Sequence, residues 1–178
     1  MKQIIFASFA FCILAACSTP KTYFTRDVRN SVETSSIPLT KLQFYVDRDV
    51  ELKREVASGA TKVTAGMVKY ENGKYVNIIT LKKNTPGVCT KVYGDKIDVA
   101  FETGDGKHLT FGKLQRDDRA PYTLYADSWG PDLGAISYDG QKYFIMPSGA
   151  EARLMIKKNV LNTSKVDKRE MKGVKVQG

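Results

Sequence analysis

Cys89 and His108 are the two residues whose chemistry is most suggestive, a thiol and the chain's one imidazole. Together they would make a nucleophile–base pair if they came within hydrogen-bond reach, about 3 Å. Turn chemistry predicts where they stand. Gly94-Asp95 suits a two-residue hairpin, which sets Val92 against Ile97, Val88 against Phe101 and Cys89 against Ala100. Gly104-Asp105-Gly106 suits a three-residue loop, because only that loop matches apolar faces, Phe101 with Leu109 and Val99 with Phe111. His108 then falls opposite Glu102, and Ala100 opposite Thr110. Cys89 and His108 share a sheet face but sit about 12 Å apart, too far for a dyad. The expectation is a packed thiol beside Ala100, an imidazole beside Glu102, and no enzyme.

Other chemistries fare no better. Asp47 and Asp49 share parity beside a turn, and Asp117-Asp118 lie in a charged connector. Glycoside hydrolysis needs two carboxyls about 5–9.5 Å apart in a cleft, usually from distant segments, and no sequence pattern here supplies that. Asp47-Arg48-Asp49 lacks the glycine and the later glutamate of a calcium loop. A single histidine excludes multi-histidine metal sites. No nucleotide-cradling or nucleophile-elbow motif occurs, so no catalytic residue, metal or cofactor is expected. Aromatics point instead to binding. Trp129, in a Gly-Pro loop, and Tyr125 are the candidate contacts with a ligand or partner, since each offers an apolar face and a polar tip.

The N-terminus carries an address. Lys2 supplies a positive charge, Ile4 to Leu14 are apolar except for Ser8, and Ala15-Ala16 are small. The apolar run is shorter than the roughly 20 residues a spanning helix needs, so it reads as a cleaved signal helix. Leu14-Ala15-Ala16-Cys17 resembles the lipobox of bacterial lipoproteins. The resemblance implies a diacylglyceryl group on the Cys17 thiol, cleavage before it, and attachment to the membrane through lipid. Ser18, rather than an aspartate, implies the outer membrane, and the absence of acids from Ser18 to Tyr23 implies a face toward the periplasm. The body loosely resembles uncharacterised all-β lipoproteins of Bacteroidota, in layout only.

Beyond Cys17 the expected organisation has two parts. Residues 17–36, polar with a proline at position 20, read as a lipidated cysteine and tether, with the adjacent aromatics Tyr23-Phe24 an exception suited to docking on the membrane interface or on the domain. Residues 37–178 read as a single all-β domain, with Ser164 to Val176 a basic strand or tail. Period-two alternation punctuated by Asn72-Gly73, Gly94-Asp95 and Asp139-Gly140 predicts about eleven strands in an antiparallel meander, closed as a β-sandwich or a barrel. No helix is expected after the signal. The net charge of +9 reads first as lysines that keep exposed strands soluble and block edge pairing, and as a partner signal it suits anionic glycans or lipid phosphates in an envelope, not nucleic acid. After the signal is removed Cys89 has no thiol partner in its chain, since Cys17 carries lipid. The function read from all this is a lipid-anchored, non-enzymatic envelope protein that binds or scaffolds a protein complex or a glycan. A barrel carrying an apolar ligand is the alternative, and an envelope hydrolase a weaker one.

Overall fold

Tight turns organise the chain where turn chemistry predicts them. Asn72 and Gly73 both take left-handed backbone (φ 49° and 81°), as do Asp139 and Gly140 (φ 51° and 69°). That handedness matches the twist of paired strands, so each turn closes a two-residue hairpin. Tyr70 pairs with Tyr75 as expected, their rings 5.1 Å apart. Val92 pairs with Ile97 across Gly94-Asp95, but Gly94 does not take the left-handed backbone of the type II′ turn that a glycine at that position suits.

The computed structural model describes residues 19–57, 66–113, 117–131 and 133–163. In order these form β1 (Lys21–Tyr23), α1 (Arg26–Thr34), β2 (Gln43–Val46), β3 (Val50–Val56), β4 (Met67–Glu71) and β5 (Lys74–Leu81). Then come β6 (Pro86–Val92), β7 (Lys96–Ala100), β8 (His108–Gly112), β9 (Thr123–Leu124) and β10 (Ser128–Trp129). Next are β11 (Gly134–Tyr138), β12 (Gln141–Ile145), the one-turn helix α2 (Pro147–Ala150) and β13 (Leu154–Lys157). The expected signal and lipobox, and the C-terminal segment 164–178, lie outside the described residues.

The body is all-β, built of two antiparallel sheets. One runs β1-β13-β2-β6-β7-β8-β9 and the other β10-β11-β12-β3-β5-β4. Neither order returns to its starting strand, so the described residues form no closed barrel. The meander is also interrupted. The chain leaves the first sheet between β2 and β3 and returns between β5 and β6. Both sheets feed one apolar core: Phe44, Ile97, Phe111 and Ile156 from the first, Val50, Leu52, Tyr143 and Ile145 from the second. Each fully buried large side chain contributes about 1.5–3 kcal/mol.

Residues 21–34 correct the tether reading. They form β1 and α1, and they bury Phe24 and Val32 completely or nearly so (0 % and 1 % exposed). β1 pairs with β13, more than a hundred residues away in sequence. Thr25 caps α1, its hydroxyl accepting from the Val28 amide at 3.2 Å. Val28 and Val32 lie one turn apart, a spacing too short to stand out in a polar stretch. A helix this short is marginal alone and is held by packing. The described fold therefore takes in residues 21–36, ahead of the expected start at Ile37.

Two registers also differ from expectation. β7 meets β8 with Val99 opposite Leu109 and Ile97 opposite Phe111, two residues from the predicted pairing. The apolar faces still match, because a shift of two preserves side-chain direction. The chain leaves β7 at Ala100, and a longer loop rests on the β11–β12 turn, where the Asp139 amide donates to the Gly106 carbonyl. In β6 a bulge intervenes. Cys89 lies opposite Val99, not Ala100, and Lys91 opposite Asp98. The extra residue reverses the facing of everything before it, which turns Cys89 inward. Gly87 is required there, since a Cβ would lie 2.6 Å from the Phe101 ring.

Candidate functional site

The bulge decides the thiol–imidazole question. Cys89 is buried (4 % exposed) among core side chains, whereas His108 lies opposite Ala100 with its side chain 40 % exposed on the other face of the sheet. The expected shared face and the His108–Glu102 pairing are both replaced. His108 stands instead near Asp98, Nε2 to Oδ2 3.6 Å, and Glu102 accepts from the Tyr138 hydroxyl. Burial pushes the Cys89 thiol pKa up, which keeps it protonated and unreactive. Iodoacetamide at mildly alkaline pH should therefore leave Cys89 unmodified in the native protein and label it fully in urea. Labelling at the rate of a free thiol under native conditions, read by intact mass, would contradict the buried placement.

The carboxylates are each engaged structurally. Asp47 binds Arg153 at 2.7 Å and accepts from the Arg153 amide. Asp49 accepts from Lys82 and from the Lys83 amide, which holds its pKa below the usual carboxylate range. Asp117 accepts from the Arg119 amide, and Asp118 pairs with Lys113. Among the described residues no group of three potential metal ligands converges.

Tyr125 and Trp129 line different hollows. Tyr125 lies on the outer face of β7 and β8 beside Asp98, His108 and Thr110, with the Lys96 ammonium 4.1 Å from its ring centre. Asp98 is buried and already accepts from Tyr93 (3.0 Å) and Thr110 (2.8 Å). This cleft, about 270 Å³, lies below the usual size of a ligand site. Trp129 is 54 % exposed on the edge strand β10, beside a hollow shared with Arg48 and Arg153. A carrier would need a roomy lumen. The hollow between the sheets, bounded by Leu52, Leu81, Phe101 and Tyr138, measures only about 180 Å³.

A larger recess, which no sequence pattern marks, lies beside β12. β12 pairs with β3 at only two positions, Ile145 with Leu52 and Phe144 with Lys53. Beyond Lys53 the strands part, although β3 continues to Val56 against β5 and β12 extends back to Gln141 against β11. The parting leaves a groove of about 730 Å³, with Lys53, Glu55, Val76, Lys142 and Phe144 on its walls and Arg54 in the gap. Two strand edges face it without partners among the described residues, and such edges accept an added strand.

Charge and apolar surface are both present in the groove. Lys53 is held by Glu51 and Glu71, and Glu55 by Lys74. Among the described residues no carboxylate lies within ion-pair distance of Arg54 or Lys142. The Arg54 guanidinium lies over the Tyr143 ring at 5.4 Å and donates to Gln141 at 3.4 Å, while its buried Nε–H has no hydrogen-bond partner among the described residues. An unmet buried donor costs about 1–3 kcal/mol, which an arriving acceptor would recover. Lys142 lies 5.5 Å from the centre of the Phe144 ring, and Phe144 is 39 % exposed. The sequence signal for Arg54 is its parity, because it shares the core-facing side of Val50 and Leu52 where a charge is unexpected.

Comparison with protein-family models, with curated proteins and with solved structures gives no match for this chain.

Proposed function

We propose that this chain is a lipid-anchored β-sandwich of the bacterial outer membrane, facing the periplasm, that binds an extended acidic segment of a partner protein. It is not an enzyme. The anchor is the lipid on Cys17, and the binding site is the groove where β3 and β12 part. The observation that carries the reading is the pair of unpartnered strand edges flanked by Arg54 and Lys142. Backbone pairing along the edge supplies affinity. A carboxylate reaching the Arg54 Nε–H supplies specificity, and Phe144 and Val76 receive an apolar side chain. An anionic glycan would meet both cations but has no backbone amides to pair with the two strand edges, so a protein segment is the better fit.

The test is photo-crosslinking in cells with a benzophenone amino acid at position 144. A discrete crosslinked partner is expected. Adding Arg54→Glu with Lys142→Glu removes two charge-assisted contacts of about 1.5 kcal/mol each, weakening capture about a hundredfold. The circular-dichroism melting curve of the double variant should stay close to that of the parent. Undiminished crosslinking in that variant sinks the groove reading. Separately, Cys17→Ala should move the protein from the membrane to the soluble fraction, and continued membrane association would sink the anchor.

A further inference from the structure

Strands β1, β13, β2 and β6 stand side by side at one end of the seven-stranded sheet. Together they hold three lysines, Lys21, Lys91 and Lys157, and no carboxylate. Their outward face follows from parity. Phe44 and Ile156 are fully buried and paired, so Tyr45, Met155 and Lys157 face away from the core. Lys21 and Tyr23 pair with Lys157 and Met155 and face the same way. The Lys21 ammonium sits 4.6 Å from the Tyr45 ring centre. Tyr23 and Val88 leave apolar surface exposed (38 % and 48 %). Asp47, which follows β2, is neutralised by Arg153, whose guanidinium covers the Tyr23 ring at 4.4 Å. Lysines with tyrosine and valine between them make the kind of surface that suits a bilayer interface. Aromatic rings settle at headgroup level, and lysine stems lie on apolar surface while their charges reach phosphate.

The chain enters the fold at the edge of this face. The Lys158 amide donates to the Pro20 carbonyl at 2.9 Å, and Lys21 opens β1. Only Ser18, Thr19 and Pro20 separate Cys17 from Lys21, a span of at most about 14 Å when extended. With residues 21–34 built into the fold, no long tether remains between the lipid and the body.

We infer that the outward face of β1, β13, β2 and β6 lies against the anionic lipid headgroups of the membrane that holds Cys17. The inference rests on the anchor reading and adds an orientation to it. The lipid end fixes the seven-stranded sheet on the bilayer and leaves the groove of the other sheet directed away from it.

The test uses the lipidated protein in phosphatidylcholine vesicles with and without phosphatidylglycerol, with lysine acetylation mapped by peptide mass spectrometry. Acetylation of Lys21 and Lys157 should slow about fivefold in the anionic vesicles, and added salt should reverse this. Lys74, in β5 of the other sheet, and Lys82, which directly follows β5, should react equally in both. Lys21→Glu with Lys157→Glu should also remove the protection of Lys158. Equal rates at Lys21 and Lys157 in both vesicles overturn the orientation while leaving the anchor standing. An N-terminal peptide lacking lipid on Cys17 in the same spectra overturns the anchor itself.

Discussion

Replacing Phe24 by alanine should lower the unfolding free energy by about 3–5 kcal/mol, a large part of the 5–15 kcal/mol that domains of this kind possess. The ring is fully buried, 5.2 Å from the Phe44 ring and 5.0 Å from the Tyr122 ring, in edge-on contact with both. Its backbone is equally committed, the amide donating to Leu154 and the carbonyl accepting from Tyr122. Truncation removes the ring from between two aromatics that cannot close over the void. Urea unfolding followed by far-ultraviolet circular dichroism measures the loss. Tyr23→Ala, one residue away and 38 % exposed, should cost about 1 kcal/mol or less. If residues 17–36 were only a tether, both variants would unfold at the parent's midpoint.

The second large effect belongs to Arg29, 7 % exposed and unusual for a charge so deep. Its guanidinium joins α1 to the β6–β7 turn and to the core. Nη1 donates to the Gly94 carbonyl (3.0 Å) and the Tyr122 hydroxyl (3.2 Å), and Nη2 donates to the Tyr93 carbonyl (2.9 Å). Nε donates to Glu33 at 2.8 Å, one helical turn away, which supplies the compensating charge. Arg29→Ala should cost about 2–4 kcal/mol, because Tyr122 and Glu33 lose their donor and the helix loses its fastening. Arg29→Lys keeps the charge but not the planar fork, and should recover less than half. Hydrogen exchange of the α1 amides should rise well above that of β7 in the alanine variant. Unchanged α1 protection would show that Val32 packing alone holds the helix.

These two positions mark where local pattern stopped being informative. Phe24 stands out in a polar stretch only as half of the aromatic pair Tyr23-Phe24, without a partner to name, and nothing periodic announces Arg29. Phe24 finds its partners on β2 and beside β9, and Arg29 finds them at residues 93, 94 and 122. Arg54 is a different case. Its parity was readable, but the meaning of that parity depends on β12 leaving β3 after two pairs. Tyr125 and Trp129 were legible as aromatics near loops, yet they line separate hollows because β9 and β10 belong to different sheets.

The sequence by itself determined the all-β class, the hairpin turns at Asn72-Gly73 and Asp139-Gly140, the place though not the type of the turn at Gly94-Asp95, and the sides of β7 and β8 that face the core. Each rests on the conformational preferences of a few adjacent residues or on period-two alternation, and such signals are complete within a short window. Only the tertiary structure decided the β7–β8 register, the bulge that turns Cys89 inward, the pairing of β1 with β13, the docking of α1 and the parting of β3 from β12. Alternation repeats every two residues, so it fixes a face while leaving registers that differ by two equally acceptable. Strands far apart in sequence pair through backbone groups common to all residues, and their choice of partner is made by the packing of the whole core.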